Sequence, residues 1–131
     1  MPSLDTKVLV RYLVKDDARQ HAAAAKIIES ETHSTALSIP ITVALELEWV
    51  LRARYGVDKE GIVDTYTRLL ETNGLEFQDE ASVERALSLF TEHSADFADC
   101  LHIALSISNG KLPFVTFDKK ASKIPHALPC L

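Results

Sequence analysis

Four carboxylates stand where packing alone would not place them: Asp5, Glu46, Asp99 and Asp118. Asp5 follows the opening Ser3-Leu4, and Asp118 follows the apolar run from Leu112 to Phe117. Glu46 and Asp99 interrupt apolar, helix-like stretches, Thr42–Leu45 and Phe97 to Leu105. Acidic side chains are almost never fully buried unless they are paired or bound to a metal. Four of them, far apart in sequence and each in core-like surroundings, point to one shared site. Gathered carboxylates repel one another, so such a site calls for a cation. Oxygen-only ligands favour a hard ion, Mg²⁺ or Mn²⁺.

Neighbouring residues sharpen the pattern. Asp96 and Asp99 are three apart and share a helix face, with Asp96 also suited to cap that helix. Asp5 and Asp118 suit helix caps as well, before Thr6 and Lys119. Thr116, two residues before Asp118, points to the same side of a strand, where its hydroxyl can bond a ligand or serve only strand preference. Glu46 and Glu48 lie about 200° apart on a helix and cannot share a pocket. Glu48 precedes Arg52 by four residues, the favoured order for a surface pair. Trp49 fits core packing or a partner contact. Lys7, Arg11, Lys119 and Lys120 flank the acidic positions and suit phosphates beside a metal-held group. His102 reads as packed or solvated, and His21, His33, His93 and His126 show no metal spacing.

The elements that must position these residues alternate. Val8–Val14 suits a strand or a short helix. Helices are expected over Ala18–Ser30, Ile41–Tyr55 (between Pro40 and Gly56), Asp58–Thr72, Glu80–His93 and Asp96–Ser108. Strands are expected over Thr35–Ile39, Leu75–Phe77 and Leu112–Thr116, with a short helix or turn over Lys119–Lys123. Strands alternating with helices argue for a parallel sheet covered on both faces, with ligands beyond the carboxyl ends of the strands. Asp5 and Asp118 fall at such ends.

The 131 residues suit a single domain, 1–131, and 47% hydrophobic content can fill a core. No apolar run reaches the roughly 20 residues of a membrane helix. The start carries no signal-peptide pattern, so a cytoplasmic protein is expected, with Cys100 and Cys130 as free thiols. Neither cysteine has zinc spacing. A net charge of −5 does not advertise nucleic-acid binding, although local patches matter more.

Four segments, in order, carry a resemblance: Leu4–Leu13, Leu45–Leu51, Asp96–Ala104 and Val115–Lys120. Together they resemble PIN domains, and within these the VapC-type toxins of bacterial toxin–antitoxin pairs. The resemblance implies an α/β, three-layer fold with a parallel sheet of four to five strands flanked by helices. It implies a Mg²⁺- or Mn²⁺-dependent endoribonuclease, with tRNA or rRNA as substrate. It also implies a homodimer silenced by a cognate antitoxin protein. The family's acids carry over to Asp5, Glu46, Asp99 and Asp118, with Asp96 and Thr116 as accessory positions. Asp5, Asp99 and Asp118 are the expected metal ligands, and Glu46 the group that orients or deprotonates the attacking water. In-line attack leaves a 5′ phosphate and a 3′ hydroxyl. Lys7 replaces the family's common Asn; it is expected to pair with the acids and compete with the metal.

Two other enzyme classes fit less well. Haloacid-dehalogenase-like phosphatases want Asp-x-Asp, and Lys7 occupies the third position. Response-regulator receivers want paired acids near the first strand and a mid-chain phospho-acceptor, and neither is visible. The non-enzyme alternative is an inactive PIN-like interaction module that binds RNA or a protein partner. Homodimerisation is expected through apolar surface on the helices spanning Ile41 to Leu70.

Overall fold

The computed structural model describes residues 1–30 and 36–131. Thr35, the expected start of a strand, and His33 lie outside the described residues. The chain divides into two compact units, Met1–Gln78 and Asp79–Leu131.

The first unit runs α1 (Thr6–Leu13), α2 (Ala18–Ile28), β1 (Leu37–Ile39), α3 (Ile41–Tyr55), α4 (Lys59–Glu71) and β2 (Leu75–Phe77). Its helices begin where a side chain supplies the acceptor that the first backbone N–H groups lack. Asp5 accepts from the Val8 N–H at 3.1 Å, Asp17 from Gln20 at 3.0 Å, and Asp58 from Gly61 at 2.9 Å. That cap settles the ambiguous Val8–Val14 segment as helix. The α3 helix matches its expected bounds because Pro40 presets its start and Gly56, at φ +64°, closes it in the left-handed region. Strand β1 pairs in parallel with β2, Leu37 opposite Leu75 and Ile39 opposite Phe77. The chain start joins through one bridge, Ser3 to Ser38, with Leu4 N–H donating to the Ser38 carbonyl at 2.9 Å. Leu9, Leu37, Ile39, Leu47, Leu51, Ile62 and Leu69 are buried, and Tyr66 stacks on Phe77 at 6.0 Å. The buried Tyr66 hydroxyl donates to the Ala44 carbonyl, tying α4 to α3.

The second unit runs α5 (Glu80–Glu92), α6 (Phe97–Ser108), β3 (Phe114–Thr116), a 3₁₀ turn (Ala121–Lys123) and β4 (Ala127–Pro129). Strand β3 pairs in parallel with β4, Phe114 opposite Ala127. Helix α5 packs on α6, with Phe90 edge-on to Phe97 at 5.6 Å. Val83, Ala86, Leu101, Ile103 and Ala104 fill the interior between them. Cys100 is buried and Cys130 exposed, both as free thiols.

Mixed α/β content with parallel strands agrees with expectation; the sheet does not. Instead of one sheet of four to five strands, the described residues form two separate two-stranded sheets. Every strand is three residues long, and the chain start contributes a bridge rather than a strand. No helix among the described residues is long and apolar enough to cross a membrane.

A second correction concerns Glu48. Its pairing with Arg52 is present at 2.9 Å, but the residue is 4% exposed, not on the surface. It shares the inward face of α3 with the adjacent Leu47 and with Ala44 and Leu51, one turn away on either side. Arg52 reaches it from a partly exposed position, and a buried carboxylate needs such a partner. The apolar surface expected over Ile41 to Leu70 reduces to one large exposed residue, Trp49. The other exposed large apolar residues include Val115, Phe117 and Leu128, on and beside β3 and β4.

Candidate functional site

In the first unit, α1 and α3 bring Asp5 and Glu46 to the wall of one cavity of about 330 Å³. Asp5 is there because it caps α1; its Oδ1 accepts from Val8, and the side chain stays exposed. Glu46 is on the outward side of α3, and the buried Thr6 donates its hydroxyl to Glu46 Oε1. The first residue of α1 thus clips the acid of α3. Cations share the cavity wall: Lys7, Arg11 and Arg54. Lys7 forms no ion pair among the described residues, contrary to the expected pairing with the acids. It is exposed on the first turn of α1, where water solvates the ammonium.

Arg11 is engaged within the protein. Its Nη1 donates to Asp16 at 3.2 Å and to the Tyr55 hydroxyl at 3.3 Å, and its Nε donates to Gln20. Tyr55 in turn donates to Asp16 at 3.0 Å. The expected phosphate-binding role of Arg11 therefore competes with a network that joins α1, α2 and the end of α3.

In the second unit, Asp99 lies in the first turn of α6 and is half-buried. Burial raises its carboxyl above the usual range, and the charges of Asp118 and Asp96 raise it further, while His102 opposes them. Asp96 occupies the N-cap position of α6 without bonding a backbone N–H. Its carboxylate is not consumed by the helix, unlike that of Asp5. Asp118 is set by two local bonds. Its N–H donates to Thr116 Oγ1 at 3.0 Å, and its Oδ1 accepts from the Ala121 N–H at 2.8 Å. Thr116 thereby fixes the turn that presents Asp118. Lys119 and Lys120 follow it, both exposed. His102 is exposed, with its ring 6.0 Å from that of Phe114.

The expected site residues thus fall into two groups, Asp5 with Glu46 and Asp99 with Asp96 and Asp118. Residues the sequence did not single out are Thr6, Arg54 and Tyr55. Thr6 had a readable signal: a hydroxyl residue right after a capping Asp, at the first position of a helix. Arg54 is two turns beyond Glu46, so the same helical face carried the signal.

A divalent cation fits these donors. They are oxygen-only, and Asp99 is held among like charges that a cation would relieve. Among the described residues no three His, Cys, Asp or Glu side chains are gathered as a ready ligand set. A hydrated Mg²⁺ does not need one, since it keeps several waters and takes only one or two carboxylates. No curated protein matches the sequence. The model of the PIN domain matches residues 3–127, from the chain start through β3 and into β4. The chain therefore belongs to the PIN domain family, whose members are generally metal-dependent nucleases and often act as toxins.

Proposed function

We propose that this protein is a Mg²⁺- or Mn²⁺-dependent endoribonuclease and the toxin of a type II toxin–antitoxin pair, with tRNA or rRNA as its substrate. The observation that carries the reading is Asp99, whose carboxyl is raised by burial and by the facing charges of Asp118 and Asp96. A protein keeps such an arrangement at a cost in stability, and a bound cation turns that cost into affinity. Asp5, Asp99 and Asp118 would hold the metal. When bound, it lowers the pKa of water and stabilises charge on phosphoryl oxygens. Glu46, held by Thr6, keeps one carboxylate oxygen free to accept a proton from water. Thr116 holds Asp118 through the backbone, and the exposed Lys119 and Lys120 are available to RNA phosphates. A cytoplasmic homodimer bound by an antitoxin belongs to the same reading.

The test is incubation of purified protein with total RNA, with Mn²⁺ and with EDTA. The reading expects cleavage only with Mn²⁺, 5′-phosphate and 3′-hydroxyl ends, and none from Asp99→Asn. RNA binding without cleavage would favour the inactive interaction module. Lys7 on the cavity wall beside Asp5 is the observation behind that second reading.

A further inference from the structure

The cavity that holds Asp5 and Glu46 continues along α3. Glu46, Val50 and Arg54 follow at four-residue steps and all line it. Beyond it, the Arg54 guanidinium is 6.0 Å from the centre of the Trp49 ring. Trp49 is 50% exposed. Single exposed apolar residues are ordinary. An exposed indole under an arginine that itself lines a cavity holding two acids is a more specific arrangement. Arg11, Arg52 and Arg68 each pair with a carboxylate, whereas Arg54 pairs with none among the described residues. Its planar fork of donors is therefore open to a ligand.

The chemistry of the ligand follows from the charges. Two carboxylates repel an anion, so a phosphodiester approaches them only if cations hold it, and Lys7 and Arg54 supply those cations on the same wall. A planar aromatic beside the cation suits the base attached to that phosphate, because single-stranded RNA is gripped by stacking on aromatic and guanidinium planes. A volume of about 330 Å³ is within the range of small-ligand sites.

We propose that Arg54 and Trp49 form a nucleotide subsite beside Asp5 and Glu46. Arg54 takes a phosphate of single-stranded RNA, and Trp49 stacks on the adjoining base. The subsite rests on the nuclease reading above and names the residues that grip its substrate.

Trp49 is the only tryptophan in the chain, so its fluorescence reports the subsite directly. The full chain is titrated in EDTA with a short single-stranded oligoadenylate, following both tryptophan emission and anisotropy of a label on the RNA. The subsite expects saturable quenching that tracks binding, and none from an abasic strand of equal length. Trp49→Ala and Arg54→Ala should each weaken binding about tenfold, while Trp49→Phe keeps most of the affinity. Binding without quenching, or equal affinity in Trp49→Ala, overturns the subsite. The nuclease reading then stands or falls on Mn²⁺-dependent cleavage measured alongside. No binding and no cleavage overturns both. An emission change with protein concentration alone assigns Trp49 to a contact between copies and also overturns the subsite. The quenching arm uses the unaltered chain, so it decides even if a variant fails to fold.

Discussion

In the first unit Asp5 and Glu46 each accept a hydrogen bond from the protein, from Val8 N–H and from the Thr6 hydroxyl, with cations on the same cavity wall. In the second, Asp99 faces Asp118 and Asp96, and only His102 offsets them. On the proposed reading the first pair serves the fold and the chemistry together. The second group stands against its own repulsion and is relieved only by a proton or a ligand. Substitutions should therefore separate stability from activity differently in the two units.

The sharpest test is Asp99→Asn. Cleavage with Mn²⁺ should fall by at least about a hundredfold, the scale of losing a group that acts in the transition state. Thermal unfolding without metal should move the other way, by about 0.5 kcal/mol towards stability, a value scaled down for partial exposure. A destabilised Asp99→Asn would break the comparison. Metal addition comes next. At about a hundred times its dissociation constant Mn²⁺ should stabilise the wild type by about 2.7 kcal/mol and Asp99→Asn by much less. Equal shifts in both would place the ion elsewhere.

At Asp5 the two roles can be pulled apart. Asp5→Ala loses the α1 cap and should cost about 1 kcal/mol in denaturant unfolding. Asp5→Asn keeps a good cap and should unfold like the wild type while losing metal-dependent cleavage. If Asp5→Asn keeps full activity, Asp5 is a cap and nothing more. Thr6→Val removes the donor to Glu46 and should cost about 0.5–1.5 kcal/mol, with activity falling less than in Glu46→Ala.

The smallest effect is the pH dependence. Asp99 titrates above the ordinary 3.8 in the folded chain, so its charged form is the disfavoured one. The stability gap between Asp99→Asn and wild type is then full at neutral pH. It shrinks as pH falls through the raised value and vanishes below 3.8. A gap that widened on acidification would reverse the sign and remove the like-charge account.

Much of the local structure was legible because punctuation residues decide it. Pro40 and Gly56 bracket α3, and Asp5, Asp17, Asp58 and Asp79 start helices through side-chain caps. Strand β4 is not legible in the sequence because Pro125 precedes it and Pro129 is its last residue, and proline argues against a ladder. The roles of Glu46 and Glu48 were harder to read. Both sit in an apolar stretch, and only the rotation of α3 against its neighbours makes Glu48 the buried one. The raised carboxyl of Asp99 depends on Asp118, nineteen positions on along the chain, a proximity that periodicity does not encode.

The three-residue strands have a consequence for motion. Asp5 follows a single bridge, and Asp118 follows a strand held through Phe114 N–H to His126 and Cys130 N–H to Thr116. Opening either segment breaks only a few main-chain bonds, whereas α3 opens only with its buried face of Ala44, Leu47 and Leu51. Amide hydrogens at Leu4 and Phe114 should therefore exchange with deuterated solvent through local opening, and those of Leu47 and Leu51 only with global unfolding. Unlike Glu46 and Asp99 on their helices, Asp5 and Asp118 ride on thinly held backbone. A ligand that draws on them should leave its clearest trace as slowed exchange at those two segments, far more than in the helices.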